Sequence, residues 1–423
     1  MSEQVVFTPN DFQGSDAERI NAAVNAAAEA RGRVVIPRDN HAQDGHREIW
    51  LLDSAILVHS NTTLELNNCH IKLSDRCRDN MIRSANCGLG ITEIEPMQRI
   101  RIYGVGDAVL EGADLPRATG DSGKALGLNT RATDAGTAGE SKQQSTTTGH
   151  KRRRSYGTDA EVADESQISD WRNIGILMAF VEDFSISNLT IRESHCWAIS
   201  LERCAHGTLR DLDFASTGVK MIDGTEQEIL NQDGIDLRIG CHDILIENIT
   251  GYSGDDLIAL TALGSPDSVA GALASTQVSG GIGRSDGCDD IRNVIIRNVR
   301  GYSAGACSII RLLNSSGLKL HGVLIDGLVD TAPPGKQSRA AVRLGDYRYG
   351  TGNPPVGDAR AIIVTNISSR ARQAILIGGS LCDSVIHNVI SHGVDSQAVT
   401  IESDEVVVRD VTMTNIVSCA DEQ

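Results

Sequence analysis

The chain has 423 residues and a formal charge of −17, which disfavours nucleic acid or an anionic membrane surface as its main partner. Glycine is abundant (42), proline scarce (9) and aromatics only 3%, while Val, Ile and Leu recur in short runs. This argues against a helical bundle and for many short strands.

No apolar stretch approaches the roughly 20 residues of a membrane-spanning helix. The opening MSEQVVFTPNDF has no basic segment followed by an apolar run, so no secretory leader is expected and a cytoplasmic location is. The ten cysteines are scattered, with no CxxC pair, and are expected to be reduced thiols packed as small apolar groups.

Residues 16–30, DAERINAAVNAAAEA, predict an amphipathic helix, because Ile20, Ala23, Val24 and Ala27 recur at helical spacing. Ser15 and Glu18 make a capping box, and Gly32 is expected to end the helix before the strand that starts at Val34. From there short strand-like segments recur, each with apolar pairs interrupted by a polar residue, often Asn or Asp. Aligning Ile186, Leu209, Leu245, Ile295, Leu320, Val364, Ile386 and Val408 gives several steps of 22 to 25 residues. The remaining steps fit one or two turns of a solenoid plus a loop. A period of 20 to 25 with Asn at the bends marks a solenoid. Leucine-rich repeats share that period, but their LxxLxLxxN spacing is absent.

The prediction is a single all-β domain over 1–423, a single-stranded parallel β-helix. The helix at 16–30 covers the open apolar end of its first coil. Two stretches break the pattern. Residues 114–170 are polar and aperiodic and are expected to be a long mobile loop. They carry the run Lys151-Arg152-Arg153-Arg154, read as a solvated loop segment, or as a cation supplied over the cleft. Residues 264–288 form a second loop insertion. Both are candidate walls of a binding cleft.

The chemistry concentrates in Asn231-Gln232-Asp233-Gly234 and Gly254-Asp255-Asp256. Asp233 and Asp255 are 22 residues apart, close to one coil. Stacked strands lie about 4.8 Å apart, so three carboxylates can share one surface, as acid–base work on a glycosidic bond requires. Three clustered carboxylates cannot all ionise freely, and one pKa should rise. A pair roughly 6.5–9.5 Å apart would admit water and give inversion. The alternative is that these aspartates are turn residues.

Residues 171–345 resemble glycoside hydrolase family 28, the polygalacturonase family of pectin-lyase-like right-handed β-helices. Asn231-Gln232-Asp233 is similar to its N-T-D motif and Gly254-Asp255-Asp256 to its G-D-D. Val342-Arg343-Leu344-Gly345 is similar to its R-I-K strand without the Lys. Gly305-Ala306-Cys307 stands at its G-H-G without the His, and Ser194-His195-Cys196-Trp197 is similar to its S-P-x-W. The helix followed by G-x-V-x-I-P resembles the end cap of such proteins.

The resemblance implies that Asp255 is the general acid and that Asp233 and Asp256 hold the attacking water. It implies an oligosaccharide or polysaccharide substrate and no metal or other cofactor. Loss of the Lys points away from unmodified galacturonan. Arg311 and Arg343 remain to grip a carboxylate, or else bridge coils. Trp197 is a candidate to stack on a sugar, the alternative being a packed core aromatic. His195 and His242 are candidates to replace the missing His, or are structural. Asn231 joins them as a substrate-binding candidate. Cys307 is taken as a small buried filler, and Asp236 as a support of the coil through backbone hydrogen bonds. Two other functions fit a solenoid with clustered aspartates. One is a lyase or epimerase whose aspartates bind Ca²⁺, and the other is a non-catalytic carbohydrate-binding module.

Overall fold

The computed structural model describes residues 5–42, 45–75, 77, 79–87, 95–114, 118–119, 124–125, 173–222, 224–229, 231–263, 287–315, 317–348, 352–393 and 395–419. Among them, two parallel sheets of fifteen and ten strands carry the coils, and the chain passes from one to the other once per turn. Most of both predicted insertions, with the Lys151–Arg154 run, lies outside the described residues. Of the first, Asp114 and the antiparallel pair Ala118–Thr119 with Lys124–Ala125 are described.

The helix spans Asp16–Ala30, with Ser15 and Glu18 exchanging both capping-box hydrogen bonds. Its apolar stripe of Ala17, Ile20, Ala23, Val24 and Ala27 is buried against the first coil. Arg19 is buried too, paired with Asp16 at 2.8 Å and lying over the Trp50 ring at 4.9 Å. The helix ends on Arg31 itself, left-handed at φ 54°. Gly32 serves another purpose: a Cβ there would stand 2.5 Å from the Val5 carbonyl.

Inside the solenoid, apolar residues stack in columns. One runs Ile186, Leu209, Ile246, Ile296, Ile325, Val364, Ile386 and Met413. The expected alignment was shifted at four places, by one residue at Leu245 and Ile295 and by five at Leu320 and Val408. Side chains alternate across a strand, so a slip of one faces the wrong side; Ile295 is 41% exposed while Ile296 is fully buried. One continuous core extends from Ala17 in the helix to Val406. All ten cysteines are free thiols, seven of them buried.

The bends are built from left-handed residues. Asn188, Asp211, Asn248, Asn298, Gly327, Asn366, Asn388 and Asn415 occupy one position on successive coils, and all have positive φ. Asn tolerates this conformation because its short polar side chain bonds locally. Here the amides also bond coil to coil: Asn298 Nδ2 donates to Asn248 Oδ1 at 2.6 Å, and Asn415 Nδ2 to Asn388 Oδ1 at 3.0 Å. Asn298→Ala should therefore lower the thermal midpoint more than Asn298→Gly. The difference, about 1 kcal/mol, reflects the left-handed strain that Gly avoids while both variants lose the amide bond; equal midpoints would refute the conformational account.

Candidate functional site

The site forms where the chain leaves the long sheet and enters the short one. There Ile199, Ile235, Ile258, Ile310 and Val342 are in register on five successive strands. Asp233 and Asp256 each lie two residues before their strand's register point, so they stack directly. The coil step is thus 23 residues, and the neighbour of Asp233 is Asp256, not Asp255. Asp255 sits one place earlier, its N–H donating to the Gln232 carbonyl at 3.2 Å. One carboxylate oxygen from each of Asp233, Asp255 and Asp256 lies within 4.8 Å of the other two.

Backbone and side chains hold this turn closely. Gln232 is fully buried; its amide donates to the Ser194 carbonyl and its Oε1 accepts the Gly218 N–H at 2.8 Å. A Cβ on Gly305 would collide with the Gly254 carbonyl, and one on Gly254 with Gln232 Oε1 and the Gly218 backbone, which explains glycine on both coils. Asn231 is half-buried with φ 55°, so the turn itself gives a reason for Asn there.

Electrostatics separates the three acids. Asp256 accepts the Ser308 N–H at 2.7 Å and a guanidinium N–H of Arg311 at 3.0 Å. Burial, then neighbouring Asp256, pushes Asp255 up to about 6, while the Cys307 thiol and Arg311 pull it down. Asp233 is held well above the usual carboxylate range by burial first, then by Asp255, Asp236 and Asp256. One carboxylate thus has its counter-charge and two retain protons more readily than a free aspartate. The donors could also hold a hard cation, but Arg311 already occupies one side of Asp256.

No sequence-family model matches the chain, nor does any curated protein. Solved structures do. A polygalacturonase from Erwinia carotovora superposes with a TM-score of 0.54 at 14% identity, covering 100% of this chain and 97% of the other. An exopolygalacturonase from Thermotoga maritima gives 0.51 at 17% identity, covering 99% and 92%. A tailspike of E. coli bacteriophage HK620, in complex with a pentasaccharide, gives 0.54 at 12% identity, covering 98% and 67%. The fold is a right-handed parallel β-helix like theirs.

On this β-helix the remaining candidates take different places. Arg311 reaches the trio through Asp256. Arg343 stands beside it on the next strand, but its guanidinium pairs with Asp346 at 2.8 Å and Glu402 at 3.0 Å. Trp197 is only 3% exposed. It packs with Cys87, Ile174, Leu177, Ala179 and Cys196, under the Arg238 guanidinium at 4.7 Å, so its ring lies in the core and offers no open face to a sugar. His195 is fully buried, and burial and nearby Lys220 keep its pKa well below the usual range. It is a neutral interior group and no substitute for a solvent-facing acid. His242 lies past the other end of its short-sheet strand, at 2.6 Å from Asp243, and is not brought to the aspartates.

Two residues do more than their sequence context suggests. The Cys307 thiol hydrogen-bonds the Asp255 carboxyl, and burial with the surrounding acids raises its own pKa; it is a contact of the trio rather than filler. Asp236 pairs with Arg238 at 2.7 Å and accepts from Thr261 Oγ1 at 3.0 Å, so side chains, not backbone, satisfy it. Asp236 and Arg238 share a strand face because they are two residues apart, a signal available in the sequence.

These charges predict a pH dependence of stability. Asp255 titrates near 3.9 in an unfolded chain and at about 6 in the folded one. Between those values the folded chain binds more protons, so stability falls as pH rises from about 4 through about 6. Asp255→Asn should remove the share of that decline due to Asp255 and exceed the parent at neutral pH by on the order of 2 kcal/mol in urea unfolding. A parent curve that rises over this interval would contradict the assignment. Arg311→Met, leaving buried Asp256 without its counter-charge, should destabilise by about 3 kcal/mol in the same assay.

Proposed function

We propose that this β-helix is a glycoside hydrolase that cleaves an oligosaccharide or polysaccharide by direct displacement with water, inverting the anomeric centre. The observation that carries this reading is the trio itself: three carboxylates on two adjacent coils, within 4.8 Å, with Asp255 raised to about 6. A carboxyl with that pKa keeps its proton in a larger fraction of molecules than a free aspartate as neutral pH approaches, and can deliver it to the leaving oxygen.

The trio is tighter than the roughly 6.5–9.5 Å of ordinary inverting pairs, so water cannot lie in an open gap between acid and base. A different placement fits. Two acceptors about 4.6 Å apart can share one water, each at about 2.8 Å. Asp233 and Asp256 would hold such a water, and Asp256, paired with Arg311 at 3.0 Å, would take its proton as it attacks the anomeric carbon while Asp255 protonates the departing sugar. The Erwinia and Thermotoga neighbours support a sugar substrate.

The deciding experiment is incubation with neutral and uronic-acid oligosaccharides of defined length, with and without EDTA, following products by chromatography and anomers by NMR. Wild type should release products of inverted configuration in EDTA, and Asp255→Asn should lose about 10²–10⁴ of the rate. An EDTA-sensitive reaction giving an unsaturated product would mean a lyase. Binding without cleavage of any substrate would mean a carbohydrate-binding module.

A further inference from the structure

At the other end of the short-sheet strands, where the chain turns into the long sheet, metal-ligating side chains from two coils meet. Ala205 pairs with His242, which brings His206 level with Asp243. Both His206 and Asp243 are left-handed at φ 54°. The His206 and His242 rings meet edge to face, with centroids 5.6 Å apart and planes at 87°. His242 Nδ1 lies 2.6 Å from Asp243 Oδ2, while Asp243 Oδ1 accepts Asn293 Nδ2 from the next coil at 3.0 Å.

One ligand atom from each of His206, His242 and Asp243 lies within 4.8 Å of the others. Donors of a tetrahedral zinc ion with bonds of about 2.0–2.1 Å stand roughly 3.4 Å apart, so modest side-chain rotation closes the set. Two imidazoles and a carboxylate suit zinc, nickel or copper better than magnesium or calcium. Asn293 supplies the outer hydrogen bond that commonly orients a ligating carboxylate. Against this stands Arg292, which is in register with His242 and whose positive charge opposes a cation.

We infer that His206, His242 and Asp243 form a binding site for one divalent ion of the zinc class, completed by water, that clamps two coils together. The site is separate from the aspartate trio and takes no part in the proposed hydrolysis. Its ligands are contributed by strands in register at a step of 37 residues, Ala205 facing His242, and an ion bound only by the folded state raises its stability by mass action.

The full chain, freed of metal by EDTA and dialysed, is titrated with zinc chloride by calorimetry, and its thermal midpoint is followed with and without the ion. A parallel sample with cobalt(II) reports coordination through its visible absorption. One ion per chain is expected, with a higher midpoint and a tetrahedral cobalt band. His206→Asn, which keeps a residue tolerant of left-handed backbone, should abolish these effects. His242→Gln should do the same should the first variant fold poorly. Asn293→Ala should weaken binding about 10–100-fold, and Asp255→Asn should leave it unchanged. The inference is overturned by an absence of heat and midpoint shift at millimolar zinc. It is equally overturned by binding that survives both histidine variants and disappears in Asp255→Asn.

Discussion

Everything in this molecule depends on the register at which one coil lies on the next. Backbone hydrogen bonds between parallel strands set the spacing, but they do not by themselves choose which residue pairs with which. The choice comes from the interior columns, where a slip of one residue would turn Ile296 outward and Ile295 inward. The left-handed Asn positions reinforce the same choice from outside, since the amides of Asn248, Asn298, Asn388 and Asn415 each bond to their counterpart on the neighbouring coil. Once the columns are in place, the position of every side chain at the end of a short-sheet strand follows.

The aspartate trio uses this rigidity against its own electrostatics. Two buried acids and a half-buried one repel, so contacts from neighbouring coils must keep them together. Asp256 is tied down by Ser308 and Arg311, and the turn around it by Gln232 and by the glycine contact of Gly305 on Gly254. The packed coils on either side supply the energy that holds the acids together against this repulsion. That is the usual relation between a stable scaffold and a strained site, and it explains why neutralising Asp255 is expected to strengthen the fold while removing the proposed chemistry.

Much of this was legible in the residues. The helix could be delimited to within a residue because its capping box and apolar stripe are local signals. The coil was legible because strand-like segments recur at a near-constant interval, and the meeting of Asp233 with Asp255 and Asp256 followed from that interval. What spacing could not settle was which of two adjacent residues faces inward. Leu245 and Ile246, or Ile295 and Ile296, are equally apolar, and Asp255 and Asp256 equally acidic. Trp197, His195 and His242 lie close in sequence to the motifs, but the direction in which a side chain leaves its turn is a property of the whole coil. The likeness of Arg343 to a family motif likewise gave no warning that Asp346 and Glu402 would take its guanidinium.

The partners in the Asn column are separated by as few as 22 and as many as 50 residues along the chain, while their spacing in space stays that of one strand. Chain length between coils and position within the stack are therefore uncoupled. Segments can be gained, lost or rewritten at the edges of the short sheet while the acids keep their mutual distances. For a lineage of such proteins this is a route to new specificities: the reacting groups are inherited with the columns, and only what surrounds them must be reinvented.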